Sequence, residues 1–221
     1  MKITCRGLIT GATALSLLLF LGTSTSGFAD EGAKHTGHIG KDVAALPLFD
    51  AHIHYKKPAW GPYPPGTVIE LMDKSGVAMA LVSSTPDEGT IKLWQYAPNR
   101  IVPELRPYHG QAGSGNWTKA PGMFDYLVQR LNAYPHAGIG EFHLHGVDPH
   151  DEPLLRKIAA LAKEKNIYIH VHSGKAPVDM LFSFDPGLKI IWAHAGMSEP
   201  AETVAAMLAT YPMLYAATSF R

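Results

Sequence analysis

The 221-residue chain holds a single cysteine, Cys5, within its first ten residues. Neither a disulfide framework nor a thiolate metal site can be built from one cysteine. An excess of charge of one sign is also missing, since 19 Lys and Arg face 19 Asp and Glu. With no basic cluster among them, nucleic acid is excluded as the main partner. The longest apolar run, Leu8 to Leu21, falls short of the roughly 20 residues that span a bilayer, so no stable membrane anchor is expected. Low-complexity tracts and internal repeats are absent.

The beginning of the chain has a recognisable layout. Lys2 and Arg6 precede the apolar run, and "GTSTSGFAD" follows it, with Gly27 and Ala29 placed before a cut at Asp30. That three-part order is the pattern of a secretory signal peptide. Residues 1–29 are expected to be removed on export to a periplasm or beyond, and 30–45 to form a polar, Gly-rich leader. Cleavage takes two basic residues and no acid, leaving 17 basic against 19 acidic. Residues 46–221 then make one domain, long enough for a substantial core.

That domain has a rhythm. Seven short β-rich runs recur: "ALPLFDAHIHY", "VAMALVSST", "IVPELRPY", "AGIGEFHLH", "IYIHVHS", "KIIWAHAG" and "MLYAATSF". Segments of helical period separate them. Leu154, Leu155, Ile158 and Leu161 form one apolar stripe, and Val204, Met207, Leu208 and Tyr211 another, with Ser198 as the expected N-cap of the second. Gly76 marks a helix end. Alternating strands and helices predict βαβ units and a parallel sheet. Polar residues gather near the C-terminal ends of the strands, where (β/α)8 TIM barrels build their sites. The expected fold is therefore that barrel, C-terminally incomplete, because only seven strands can be read before Arg221.

Histidines supply the chemistry. In "FDAHIHY", alternation puts His52 and His54 on one strand face, about 6.6 Å apart along the chain. Two imidazoles so placed can share one ion, and Asp50, on the same expected face, is positioned to hold an imidazole tautomer. "IYIHVHSG" adds His170 and His172, of which His172 is nearer the mouth and the expected ligand. "IIWAHAG" adds His194. Ordinary barrel interiors are filled by branched apolar side chains, so four strand-end histidines from three strands read as a metal centre.

The motifs "DAHIHY", "GIGEFHLHG", "HVHSG" and "WAHAG", in that order, resemble those of the amidohydrolase superfamily, and within it the amidohydrolase-related branch. The resemblance implies His52, His54 and His172 as ligands to one or two divalent ions, with zinc the expected metal. It implies that His194 either binds a second ion or polarises the substrate, a catalytic role beside the first ion. It also implies an aspartate at the end of an eighth strand, for which this sequence has no counterpart. An incomplete chain is the expected explanation, and its rival is a short form that forms a homo-oligomer across the gap or is inactive.

Glu141 is an inward carboxylate that either bridges a second ion or supports a ligand histidine, and it is taken as a catalytic candidate. Arg106 is the candidate clamp for a substrate carboxylate; an ion pair with Glu104 is its bland alternative. His145 and Ser219 are further candidate substrate contacts, and His143 reads as a satisfied interior histidine. Trp60 and Tyr63 are candidates for a wall over the site. The expected activity is exported, metal-dependent hydrolysis of a lactone, ester or amide in a small, carboxylated substrate. Non-oxidative decarboxylation on the same scaffold and a non-catalytic metal-binding form are the alternatives.

Overall fold

A computed structural model describes residues 47–219. The expected signal peptide and leader, and Arg221, lie outside the described residues. All seven expected strands form: β1 (Leu48–His54), β2 (Val77–Ser83), β3 (Ile101–Leu105), β4 (Gly138–His143), β5 (Tyr168–His172), β6 (Lys189–Trp192) and β7 (Leu214–Ala216). Between them run α1 (Pro65–Lys74), α2 (Glu88–Tyr96), α3 (Met123–Ala133), α4 (Glu152–Glu164), α5 (Lys175–Phe184) and α6 (Ala201–Thr210). Every neighbouring pair of strands is parallel, in the order β1 to β7. One helix per crossover is what parallel pairing requires.

The helices follow their sequence patterns. On α4, Leu155, Ile158, Ala159, Leu161 and Ala162 are buried, the spacing of one helical face. α1 stops where Gly76 takes a positive φ of 69°, a conformation that costs glycine little. α6 departs from expectation: Pro200, not Ser198, holds the N-cap position. A proline there lacks only an N–H that has no intrahelical partner. Leu208 on the same helix is exposed rather than part of the stripe.

The main core lies between the sheet and its helices. Ile139, Phe142, Ile169, Val171, Ile190 and Trp192 pack outward from β4, β5 and β6 against α3, α4 and α5. The other face curls inward. Phe49, Leu81, Val102, Ala137, Tyr168, Ile191 and Tyr215, from or beside all seven strands, line one apolar cavity of about 290 Å³. Seven strands facing one cavity make an incomplete (β/α) barrel. Among the described residues no strand joins β7 to β1, and a groove of about 430 Å³ lies between them. No helix among the described residues is long and apolar enough to cross a membrane.

Candidate metal centre

Two irregularities in the sheet aim the polar side chains. Between the pairs Asp50↔Ala80 and Ile53↔Val82, β1 advances three residues while β2 advances two. The extra residue is a β-bulge, which locally breaks alternation. Phe49 therefore lines the cavity floor, while His52 and His54 still meet above it, their Nε2 atoms 3.2 Å apart. Asp50 does not hold an imidazole; its carboxylate accepts the His52 backbone N–H at 3.0 Å.

The second bulge lies in β4. From Ile139↔Ile169 to Phe142↔Val171, β4 again advances three residues against two. The backbone there runs so close to β5 that a Cβ on Gly140 would sit 2.4 Å from the His170 carbonyl oxygen. Only glycine fits, and the next residue, Glu141, is buried at the heart of the site.

Four histidines surround the Glu141 carboxylate. Oε1 lies 2.8 Å from His172 Nδ1, and 3.5 Å from both His52 Nε2 and His194 Nε2. Oε2 lies 3.0 Å from His54 Nε2 and accepts from Arg106 Nη2 at 3.0 Å. His194 reaches this point from a left-handed turn after β6, with φ of 55° at His194 and 45° at Ala195. Non-glycine residues adopt that conformation at a cost of roughly 1–2 kcal/mol each, and such strain gathers at functional sites. His194 Nδ1 donates to the Ser219 carbonyl at 2.7 Å. A carbonyl only accepts, so in the neutral ring Nε2 presents its lone pair toward Glu141.

Arg106 is buried, and it does not pair with Glu104. Its Nε donates to the Glu141 carbonyl at 2.8 Å, and Nη1 lies 3.4 Å from His54 Nδ1. Glu104 instead receives His170 Nδ1 at 3.1 Å, both groups buried, which makes His170 the supporting histidine of its strand. His143 stacks on His172 with centroids 4.1 Å apart. Its Nδ1 lies 2.7 Å from the Tyr108 hydroxyl. His145 is exposed, on a small pocket that His143 also lines. Ser219 meets the centre through its carbonyl and sits beside the β1–β7 groove. Trp60 donates to the Tyr55 carbonyl at 3.0 Å and packs on the β1–β2 side of the core, while Tyr63 is half exposed. Sequence reasoning missed the Tyr108–His143 pairing, although "PELRPY" and "EFHLH" contain both residues.

The electrostatics follow from burial and crowding. Burial alone would lift the Glu141 carboxyl. Hydrogen bonds from His172, His52 and His54 outweigh it and hold the group far below its usual range. Burial pushes the His54 imidazole down, against the upward pull of Glu141. Burial, with His172 beside it, takes His143 down to about 4. A carboxylate facing several imidazole nitrogens is the arrangement that a divalent cation resolves. Ligand atoms of His52, Glu141 and His194 lie within 4.8 Å of one another, as do those of Glu141, His143 and His172. Tetrahedral ligands at 2.0–2.1 Å are about 3.3–3.4 Å apart, close to the His52–His54 separation of 3.2 Å. The donor set fits a divalent metal of the imidazole and carboxylate class.

No protein-family model matches the chain, and no curated protein is similar to it at a significant level. Solved structures do resemble it. The phosphotriesterase homology protein of Escherichia coli, complexed with phosphate in its active site, superposes with a TM-score of 0.50 and 13% identity. The match covers 73% of this chain and 67% of that one. Triazine hydrolase from Arthrobacter aurescens gives a TM-score of 0.50 at 14% identity, covering 77% of this chain and 52% of that protein. The chain thus spans about two thirds of the first and half of the second. At such identity the likeness is one of fold: these residues build an incomplete (β/α) barrel, with a histidine–carboxylate cluster at the C-terminal ends of its strands.

Proposed function

We propose that the protein is an exported, metal-dependent hydrolase of the amidohydrolase superfamily, acting on a lactone, ester or amide bond of a small, carboxylated substrate. One observation carries the reading. Four histidines from β1, β5 and the turn after β6 come within 3.5 Å of a single buried carboxylate from β4. Packing offers no reason to gather them, because each buried polar group must find a partner.

His52, His54, His172, His194 and Glu141 would hold one or two ions, with zinc proposed for the imidazole-rich donor set. A bound ion of this kind supplies Lewis acidity, polarising a carbonyl and making a nucleophile available from water near neutral pH. The remaining work belongs to the chain. Glu141, faced by all four histidines, keeps its charge because hydrogen bonds from His172, His52 and His54 outweigh its burial, and Arg106 donates to its Oε2. Arg106 fixes the carboxylate through both the Glu141 backbone and side chain. Ser219 sets the His194 tautomer through its carbonyl. His145, exposed on the adjoining pocket, would contact the substrate.

The experiment measures zinc by elemental analysis and hydrolysis on a panel of carboxylated lactones, esters and amides. His52→Ala and His54→Ala are expected to lose most of the metal and all detectable turnover. Unchanged metal content in both variants would overturn the metal-centre reading. Release of carbon dioxide in place of hydrolysis would assign the decarboxylase chemistry instead.

A further inference from the structure

The Tyr108–His143 pair carries more than packing. The His143 backbone N–H donates to the Tyr108 hydroxyl oxygen at 2.9 Å. The same hydroxyl lies 2.7 Å from His143 Nδ1. Tyr108 is buried, and its hydroxyl hydrogen has no other acceptor among the described residues. Its oxygen therefore accepts from the backbone and its hydrogen goes to Nδ1. A neutral imidazole that accepts at Nδ1 carries its proton on Nε2. This is the reverse of His194, whose Nδ1 gives its proton to a carbonyl and whose Nε2 is left as a lone pair.

The consequence is a division of labour. A ring protonated at Nε2 and capped at Nδ1 has no lone pair left for a metal, although His143 stands in reach of Glu141 and His172. It has instead an N–H to offer. Nε2 has no partner among the described residues and is not enclosed. The ring stacks on His172, and the His143 backbone is held by its carbonyl, which accepts from Trp117 Nε1 at 2.9 Å. It forms the wall between the histidine cluster and a pocket of about 210 Å³ bounded by Ser114, Trp117, Thr118, Lys119, His145 and Asp151. Lys119 is paired there with Asp148 at 3.3 Å, and the Asp151 carboxylate, whose Oδ1 has no partner among the described residues, leaves a negative charge on the wall, which favours a neutral carbonyl over an anion.

We propose that this pocket is the substrate-oxygen subsite of the centre, in which His143 donates from Nε2 to a carbonyl or carboxylate oxygen, and that Tyr108 is the residue that positions it. The inference rests on the hydrolase reading for its substrate but not for its tautomer.

The test is ¹⁵N NMR of the histidine rings in the full chain, before and after zinc loading, with His143→Gln identifying the signal. The wild type is expected to show the His143 proton on Nε2 in both states. Acetamide or acetate, added as neutral and anionic oxygen probes, should shift that nitrogen, and which of them does so tells carbonyl from carboxylate. Tyr108→Phe should mix the tautomers and weaken the probe about fivefold, the loss of one modest hydrogen bond. His143→Gln should keep its full zinc content. A proton on Nδ1, a zinc equivalent lost in His143→Gln, or no response to either probe would overturn the proposal. Should His143→Gln fail to fold, the wild-type and Tyr108→Phe spectra still decide. A wild type that takes up no zinc would refute the hydrolase reading alone, because tautomer and probe shifts are read without metal.

Discussion

Arg106 illustrates how much a single side chain's partner matters. From the sequence it is an arginine at a barrel mouth, equally suited to clamp a substrate or to pair with Glu104. In the fold its guanidinium is turned on Glu141, and both side chains are almost fully enclosed. Removing one member of a buried pair leaves the other charge uncompensated, which typically costs about 3–5 kcal/mol. Arg106→Ala is therefore expected to lower stability by about that amount in metal-free protein. Urea denaturation measures it. A loss of catalysis with stability untouched would return Arg106 to the role of substrate clamp. Glu141→Gln tests the other end. The amide keeps the shape but loses the charge that faces His52, His54, His172 and His194, and metal affinity should fall by at least tenfold, as for disturbed metal surroundings generally. Competition with a chelator reads it.

At the scale of elements, the decisive features are the two bulges. Regular alternation would have put Asp50, His52 and His54 on one face. The extra residue in β1 sends Asp50 elsewhere and keeps the two histidines together. In β4 the bulge and Gly140 lodge the backbone against His170, so Gly140→Ala should displace Glu141 and lose metal and stability together. The helices matter through burial. Ile158 on α4 is fully buried in the main cluster. Ile158→Ala should cost about 2–5 kcal/mol, transfer and cavity contributions combined, in thermal or chemical unfolding. Zinc stoichiometry should stay unchanged, because α4 lies on the outer side of the sheet.

The whole molecule shows an open sheet among the described residues. Leu48 and Phe49, which line the groove between β1 and β7, are 55% and 52% exposed, and Tyr215 on β7 is 46% exposed. Unpaired strand edges beside exposed apolar side chains favour association. The full chain is expected to self-associate with rising concentration, and Phe49→Lys to shift it toward monomer, in sedimentation velocity. A wild type that stays monomeric at all concentrations would show that the groove is covered.

Much of this architecture was legible in the letters. The seven strands, the alternating helices and the strand-end histidines follow from periods of 2.0 and 3.6 residues, which are local properties of the chain. A tight turn at Gly76 or an apolar stripe on α4 needs no distant partner to be recognised. What only the tertiary structure decided are the matters that depend on register and on contacts far apart in sequence. A one-residue bulge is invisible until β1 is laid on β2 and β4 on β5. That Arg106 chooses Glu141 over Glu104, that Glu104 takes His170, and that Tyr108 sets the tautomer of His143 are choices among nearby partners of similar chemistry. Each was settled by where neighbouring strands place the buried polar groups, every one of which must find its hydrogen bond.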